Sequence, residues 1–115
     1  MDIIEEDWDE LKKWFSITEI SEMLNIPSTV LRYWETEFPE LKPRKNRNGK
    51  RMYNHEDIEL LKKLHYLLKV KKYTIKGAKD ALENQKNEIE FQIKARELLL
   101  KFKQILIEIQ NKQKN

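Results

Sequence analysis

The chain has 115 residues, of which 37% are charged and 39% hydrophobic, and its formal net charge at pH 7 is +3. This length leaves room for one compact domain with an appendage, not for two independent globular domains. The chain has no cysteine, which excludes disulfides and thiolate metal sites. Without a basic-then-apolar leader or a run of roughly 20 apolar residues, the sequence predicts a soluble, cytoplasmic protein.

Charge is distributed unevenly along the chain. Residues 1–15 contain six acidic residues and two lysines, a net of −4, which leaves +7 on the remainder. Residues 42–51 contain six Lys or Arg and no acidic residue. Such a block produces a positive potential suited to a nucleic-acid phosphate backbone.

Residues 1–14 are interpreted as an acidic N-terminal extension. Four apolar residues there and just beyond recur at spacings of 4, 3 and 4: Ile4, Trp8, Leu11 and Phe15. This spacing fits a short amphipathic helix docked on the domain, and a frayed tail fits the same residues equally well.

Two short helices are predicted next. The apolar stripe from Ile17 to Leu24 indicates the first, and Asn25, which tolerates the left-handed conformation, is expected to end it. Pro27 interrupts the pattern, and Ser28 is expected to cap a second helix that continues to Phe38. Two helices separated by about three residues are typical of a helix-turn-helix.

The second helix has two unlike faces. Leu31 and Trp34 lie on the apolar side, which is expected to be buried. The polar side carries Thr29, Arg32, Tyr33 and Thr36. A helix in the major groove presents such side chains to base edges and phosphates. The alternative is that Arg32 forms an ordinary surface ion pair with Glu35 or Glu22.

A basic hairpin is predicted between Pro39 and Tyr53. Asn48-Gly49 is a strong turn signal, because both residues accept positive φ. A charged segment is often merely solvated, but a basic hairpin next to a polar helix favours a clamp that holds one duplex at two points. The expected phosphate-binding side chains of the hairpin are Arg44, Arg47, Lys50, Arg51 and Tyr53.

Residues 54–113 are predicted to be mostly helical. Asn54 and Thr74 are expected to cap two helices that a lysine-rich break at residues 69–72 separates. From about residue 84 the chain has no Pro or Gly and carries a heptad seam. The seam consists of Phe91, Ala95, Leu98, Phe102, Ile105 and Ile109, widened by Leu99 and Leu106. So wide an apolar face is expected to pair with a second copy, the alternative being that it folds back on its own domain.

Several motifs together resemble the MerR-type transcriptional regulators. They are Leu31-Arg32-Tyr33-Trp34-Glu35, Gly49-Lys50-Arg51-Met52-Tyr53, the helical segment Asp57-Ile58-Glu59-Leu60-Leu61, and Tyr73-Thr74-Ile75-Lys76. The resemblance implies a bacterial dimeric regulator whose second helix enters the major groove, whose wing lies on the adjacent backbone and whose terminal helix forms an antiparallel coiled coil. It also assigns Arg32, Tyr33 and Arg51 to DNA contact.

The expected fold is therefore mainly α: a winged helix-turn-helix domain with a small β-hairpin wing over residues 15–83, followed by a long C-terminal coiled-coil helix over residues 84–115. The expected partners are double-stranded DNA at an inverted-repeat promoter site, a second copy of the chain, and RNA polymerase. The expected DNA contacts are Ser28, Thr29, Arg32, Tyr33, Arg44, Arg47, Lys50, Arg51, Tyr53 and Lys76. The alternatives are a coiled-coil protein-interaction adaptor and an architectural DNA-binding protein of the excisionase type.

Catalysis is not expected. His55 and His65 lie about 15 Å apart along one predicted helix, at roughly 1.5 Å per residue, so they cannot share a metal ion. The sequence has no glycine-rich phosphate loop and no nucleophile elbow. No metal, cofactor or effector is expected.

Overall fold

The computed structural model describes residues 13–113, so most of the predicted helix of the acidic N-terminal extension lies outside the described residues. Phe15, the last residue of its apolar stripe, belongs to a strand instead. In chain order the elements are β1 (Phe15–Ser16), α1 (Ile17–Leu24), α2 (Ser28–Glu37), β2 (Arg44–Lys45), β3 (Arg51–Tyr53), α3 (His55–Leu64), a π-helical segment (His65–Val70), α4 (Ile75–Asn84) and α5 (Lys86–Gln113). This order confirms the predicted winged helix-turn-helix followed by a long helix. The described residues form two compact units, which divide between Ile75 and Lys76. The predicted boundary after residue 83 stays a prediction.

A side-chain capping box fixes the start of α1, and a left-handed residue ends the helix. The Ser16 hydroxyl accepts from the Glu19 N–H, and the Glu19 carboxylate accepts from the Ser16 N–H, both at 3.2 Å. This reciprocal capping box satisfies donors that have no partner inside the helix. Asn25 ends the helix with a φ of 54°, which confirms the predicted left-handed residue.

Ser21 closes the turn between α1 and α2 from both its backbone and its side chain. Its carbonyl accepts from the Ile26 N–H at 3.0 Å, and its hydroxyl donates to the Ile26 carbonyl. The predicted cap at Ser28 is wrong, because Ser28 is the first helical residue and Pro27 occupies the cap position. The Pro27 carbonyl accepts from the N–H groups of Val30 at 3.0 Å and Leu31 at 3.2 Å, and the fixed φ of the proline ring starts the helix without a side-chain cap.

The three strands form one antiparallel sheet with β3 in the centre. Phe15 lies opposite Tyr53, and Lys45 lies opposite Arg51. The sequence did not predict β1, because a strand of two residues is too short to show an alternating pattern.

The wing loop differs from the predicted two-residue turn. The Asn46 N–H donates to the Lys50 carbonyl at 2.9 Å, so three residues, Arg47, Asn48 and Gly49, form the loop. Only Gly49 has positive φ there, at 77°. The Asn46 side-chain oxygen accepts from the N–H groups of Asn48 at 2.9 Å and Lys50 at 3.0 Å. A turn followed by one left-handed glycine is the usual three-residue hairpin loop, and Asn48 needs no strained conformation in it.

Helix α3 starts at a second capping box, which confirms the predicted cap at Asn54. The Asn54 side chain accepts from the Asp57 N–H at 2.9 Å, and the Asp57 carboxylate accepts from the Asn54 N–H at 3.2 Å. Asp57 also accepts from the Lys42 N–H at 3.2 Å and is 5% exposed. The chain that leads into the wing is therefore bonded to the start of α3.

The helix continues past Leu64 as the π-helical segment, in which the Lys71 N–H donates to the Tyr66 carbonyl at 2.8 Å. The break predicted over residues 69–72 begins two residues later, because Lys69 and Val70 still belong to this segment, and Lys72 lies in the left-handed region at a φ of 62°. Apolar periodicity does not distinguish the hydrogen bonds of a π-helix, between residues five apart, from those of an α-helix, between residues four apart. The sequence therefore predicted one ordinary helix here.

The core of the first unit is formed by side chains from all of its helices and from β3. Its most deeply buried members are Ile20, Leu31, Trp34, Phe38, Tyr53, Leu61, Leu64 and Leu67. Strand β3 contacts both α1 and α3, and α1 contacts α2. The central strand, β3, is therefore anchored in the same core as the helices.

In the second unit, Ala78, Ala81 and Ile89 are buried, whereas α5 is largely exposed from Lys94 onward. Over residues 13–113, none of the helices combines the length and the apolarity that a membrane crossing requires.

We expect Asn54→Ala to lower the free energy of unfolding by about 1 kcal/mol, because the side-chain acceptor for the Asp57 N–H is lost. Urea unfolding followed by circular dichroism measures the change. Asn54→Ser is the matched control, since a serine hydroxyl also caps a helix and should retain most of the stability. Equal losses in the two variants would contradict a capping role for Asn54.

Candidate nucleic-acid interface

Helix α2 has one buried and one exposed face, as its periodicity predicted. Leu31 is 0% exposed and Trp34 is 2% exposed. On the opposite side Thr29 and Arg32 are exposed, and Tyr33 is 50% exposed. Because the apolar side is used for packing, the side available to another molecule is polar and basic.

Arg32 lies on the polar face of α2 and is exposed. Among the described residues, Arg32 forms no ion pair with Glu22 or Glu35, the alternative that the sequence left open. The Thr36 hydroxyl donates to the Tyr33 carbonyl at 2.6 Å, so it is used within the helix. Ser28, another expected contact, is half-buried at the start of the helix.

The wing presents most of its basic side chains to solvent. Arg44, Arg47 and Lys50 are exposed, and Arg51 is half-buried. The closed turn around Asn46 holds Arg47 at the tip of the hairpin. Four of the expected phosphate contacts are thus gathered on one short hairpin.

The sheet divides these basic residues between its two faces. Residues paired across an antiparallel ladder lie on the same face, and successive residues alternate. Lys45 is paired with Arg51, and Arg44 is paired with Met52, so Arg44 and Arg51 lie on opposite faces. The Arg44 guanidinium lies over the Trp14 ring at 5.4 Å from its centroid. Arg44 is therefore separated from Arg51 and held in a cation–π contact.

Glu35 connects α2 to the wing. Its Oε1 atom accepts from Arg51 Nε at 3.2 Å, and its Oε2 atom accepts from the Tyr53 hydroxyl at 2.6 Å. The Glu35 side chain is 14% exposed. A partly buried carboxylate needs such partners, because desolvation without them is unfavourable.

The prediction that Tyr53 donates its hydroxyl to a phosphate is not supported by its position. Tyr53 is 0% exposed, and its hydroxyl is already bonded to Glu35. Burial and the adjacent carboxylate raise the pKa of Tyr53 far above its usual value of 10.0, so the phenol stays protonated. Tyr53 acts inside the domain and not on its surface.

The remaining expected residues lie in the second compact unit. Lys76 is exposed on α4. Seven of the eight seam residues on α5 are large and exposed: Phe91, Leu98, Leu99, Phe102, Ile105, Leu106 and Ile109, with exposures between 47% and 73%. Ala95 is half-buried. Leu100 and Ile107, outside the predicted seam, are also exposed at 49% and 40%.

Sequence reasoning missed three contributors to this surface: Glu35, Trp14 and Lys45. The spacing of residues along one helix indicates Arg32 as the partner of Glu35. Its true partners are 16 and 18 residues further along the chain, a separation that no local pattern reveals. The signal for Lys45 was the basic run itself, but only the strand register shows that Lys45 faces the same way as Arg51.

Comparison with known proteins gives two kinds of match. The model of the MerR HTH family of regulatory proteins matches residues 15–85. Among solved structures, a MerR family transcriptional regulator from Bacillus cereus is similar with a TM-score of 0.52 and 20% sequence identity, over 84% of this chain and 74% of that chain. HiNmlR, a MerR family regulator that lacks the sensor domain and is bound to promoter DNA, has the same TM-score and identity over 81% of this chain and 78% of that chain. No curated protein matches. At this identity the two structures support the fold alone.

We expect Tyr53→Phe to lower the free energy of unfolding at pH 7 by about 1–2 kcal/mol, because Glu35 loses a hydrogen-bond donor in a partly buried position. The raised pKa sets the pH dependence. The contribution of the hydroxyl is complete below the pKa of the unfolded tyrosine, about 10, and is lost as the pH rises above it.

The stability difference between wild type and Tyr53→Phe should therefore be constant up to about pH 9 and shrink at higher pH. Urea unfolding at a series of pH values measures it. Tyr33→Phe is the control, because Tyr33 is half exposed. A wild-type advantage that persists unchanged to pH 11 would contradict the Tyr53–Glu35 bond.

Proposed function

This chain belongs to the MerR HTH family of regulatory proteins, and on that basis we propose that it is a sequence-specific transcriptional regulator that binds an inverted-repeat promoter site as a homodimer. A regulator of this family acts by binding DNA and not by catalysis. The finer parts of the proposal are the DNA contacts, the dimer and the promoter architecture.

The observation that carries the proposal is the exposed polar side of α2, which includes Thr29, Arg32 and Tyr33. These side chains are the ones a helix needs in the major groove: arginine for guanine, and threonine and tyrosine for phosphate or base edges. The basic wing follows in sequence and is bonded to the same helix through Glu35. Two basic elements joined in this way support binding of one duplex at two points.

The two elements are assigned different tasks. Arg32 reads a base and orients the helix, because it lies in the first half of α2 and is not paired with Glu22 or Glu35 among the described residues. Arg47 and Lys50 bind phosphates, because both are basic and exposed on the wing, Arg47 in the closed three-residue loop and Lys50 directly after it. Lys76 is assigned to the DNA backbone, because it is positively charged and exposed.

Homodimerisation is assigned to α5. Its apolar seam is exposed in the single chain, and a helix in water gains stability when such a seam is buried against another helix. A two-fold dimer then matches a two-fold DNA site, with half-sites about one helical turn or a multiple of it apart. RNA polymerase at the promoter is the further partner, and the cytoplasm is the proposed location.

The exposed seam also fits the adaptor alternative, in which α5 recruits a different protein. Under that alternative the basic wing has no DNA to bind. The oligomeric state and the response to duplex DNA therefore separate the two functions.

We expect Arg32→Ala to weaken binding to a duplex selected by the wild type from a random pool and to relax its sequence preference, by about 1–3 kcal/mol at one base position. Arg47→Ala should weaken all duplexes alike and reduce the slope of log affinity against log salt by about 0.9 for each protomer, or about 1.8 for the dimer. Fluorescence anisotropy at several salt concentrations measures both. Lys103→Ala, a loss of one positive charge on exposed α5, is the control. Equal effects of the two arginine variants on selected and random DNA would contradict the division of tasks.

We expect Leu98→Glu to convert the dimer to a monomer, because it places a carboxylate in the apolar seam, where desolvation is unfavourable. Gel filtration with light scattering measures the molar mass. Gln104→Glu adds the same charge at an exposed position outside the seam and should leave the dimer intact. A wild-type monomer that ignores duplex DNA would favour the adaptor, and a Leu98→Glu dimer would rule out this seam.

A further inference from the structure

Glu35 occupies an unfavourable place for an acidic residue in a DNA-binding protein. It lies on α2, one position beyond Trp34, and its carboxylate contacts the wing strand. Both elements are proposed to approach DNA, α2 in the groove and the wing at the phosphates. A negative charge between them repels the DNA backbone, so on electrostatic grounds alone it weakens binding.

The geometry of the carboxylate suggests what offsets this repulsion. Each of its two oxygens accepts a hydrogen bond from a different side chain, Oε1 from Arg51 and Oε2 from Tyr53. Tyr53 is fully buried, so its hydroxyl is a fixed donor that sets the orientation of the carboxylate. The oriented carboxylate in turn holds Arg51 by its Nε atom.

Arg51 keeps the means to bind a second anion while Glu35 holds it. A guanidinium has five N–H donors, and the Glu35 contact uses the one on Nε. The Arg51 side chain is 37% exposed. Long arginine side chains lose much conformational freedom when they are fixed, so an arginine that is already fixed binds with a smaller entropic loss.

We propose that Glu35 is a positioning residue for DNA binding: through Arg51 it presents a pre-oriented guanidinium to a backbone phosphate, and through Tyr53 it fixes the wing strand relative to α2. This inference rests on the proposed function. Glu35 itself touches no DNA. Its effect is greatest on the duplex that engages both elements at once, because general attraction to phosphates depends on the charge of Arg51 and not on its orientation.

The proposal and simple electrostatics predict opposite effects of Glu35→Gln on affinity for the selected duplex. Removal of one negative charge raises affinity for every duplex if Glu35 only repels DNA. Loss of positioning lowers affinity for the selected duplex, by about tenfold or about 1.4 kcal/mol, and leaves affinity for random DNA equal or slightly higher. The slope of log affinity against log salt stays unchanged, because Arg51 keeps its charge.

A double-mutant cycle tests whether Glu35 acts through Arg51. The full-length wild type, Glu35→Gln, Arg51→Lys and the double variant are titrated by fluorescence anisotropy with the duplex selected by the wild type and with a random duplex of equal length. Lysine retains the charge but cannot donate from two edges of a planar group. In the Arg51→Lys background, Glu35→Gln should therefore change the selected-duplex affinity by less than about twofold, a strongly non-additive result.

Glu22→Gln is the matched control, because it removes the same charge from an exposed position on α1. It should not weaken binding to the selected duplex. Thermal unfolding establishes that each variant is folded at the titration temperature. If Glu35→Gln does not fold, Tyr53→Phe takes its place, since it releases one of the two bonds that orient the carboxylate, and it should lower selected-duplex affinity by about threefold with an unchanged salt slope.

Tighter or equal binding of folded Glu35→Gln to the selected duplex overturns the proposal, as does a tenfold loss that persists in the Arg51→Lys background. Both outcomes leave the proposed function intact. A wild-type protein that binds neither duplex contradicts the proposed function instead, so the two failures are distinguishable.

Discussion

The position of the wing relative to α2 depends on the contact of Glu35 with Arg51 and Tyr53. This contact joins α2 to two residues of β3 that lie 16 and 18 positions further along the chain. Tyr53 also pairs with Phe15 across the sheet and is fully buried in the core. Tyr53 thus pairs in the sheet, packs in the core and donates a charge-assisted hydrogen bond. These three contacts hold β3 in place relative to α2.

Small polar side chains close the turns around this contact. Ser21 holds the turn between α1 and α2, Asn46 holds the wing loop, and Asn54 starts α3. Each of them satisfies backbone groups that the regular elements leave without partners. The chain therefore makes three tight connections although it has only two glycines, and Gly49 is used where a positive φ is needed.

The terminal helix has a different physical character from the first unit. Its exposed apolar residues extend beyond the predicted seam to Leu100 and Ile107. Burial of apolar area is the main favourable term in helix association. A helix of this composition is therefore better suited to an assembly than to a monomer, which is why the dimer and the DNA interface are proposed together.

The sequence by itself determined the features that depend on neighbours in the chain. Helical spacing gave the buried side of α2 at Leu31 and Trp34, Asn25 gave the end of α1, and the family motifs gave the order of the elements. Capping and periodicity are set by residues within a few positions, so they can be read locally.

Only the tertiary structure decided which of the predicted contacts stay on the surface. Tyr53 is buried and does not reach a phosphate, and Arg44 and Arg51 lie on opposite faces of the sheet. The tertiary structure also places Glu35 next to its hydrogen-bond partners. These outcomes depend on strand register and on burial, which join residues far apart in the chain. The physical reason is that a one-residue change in register reverses the face of every side chain, and no local pattern in strands of two or three residues fixes that register.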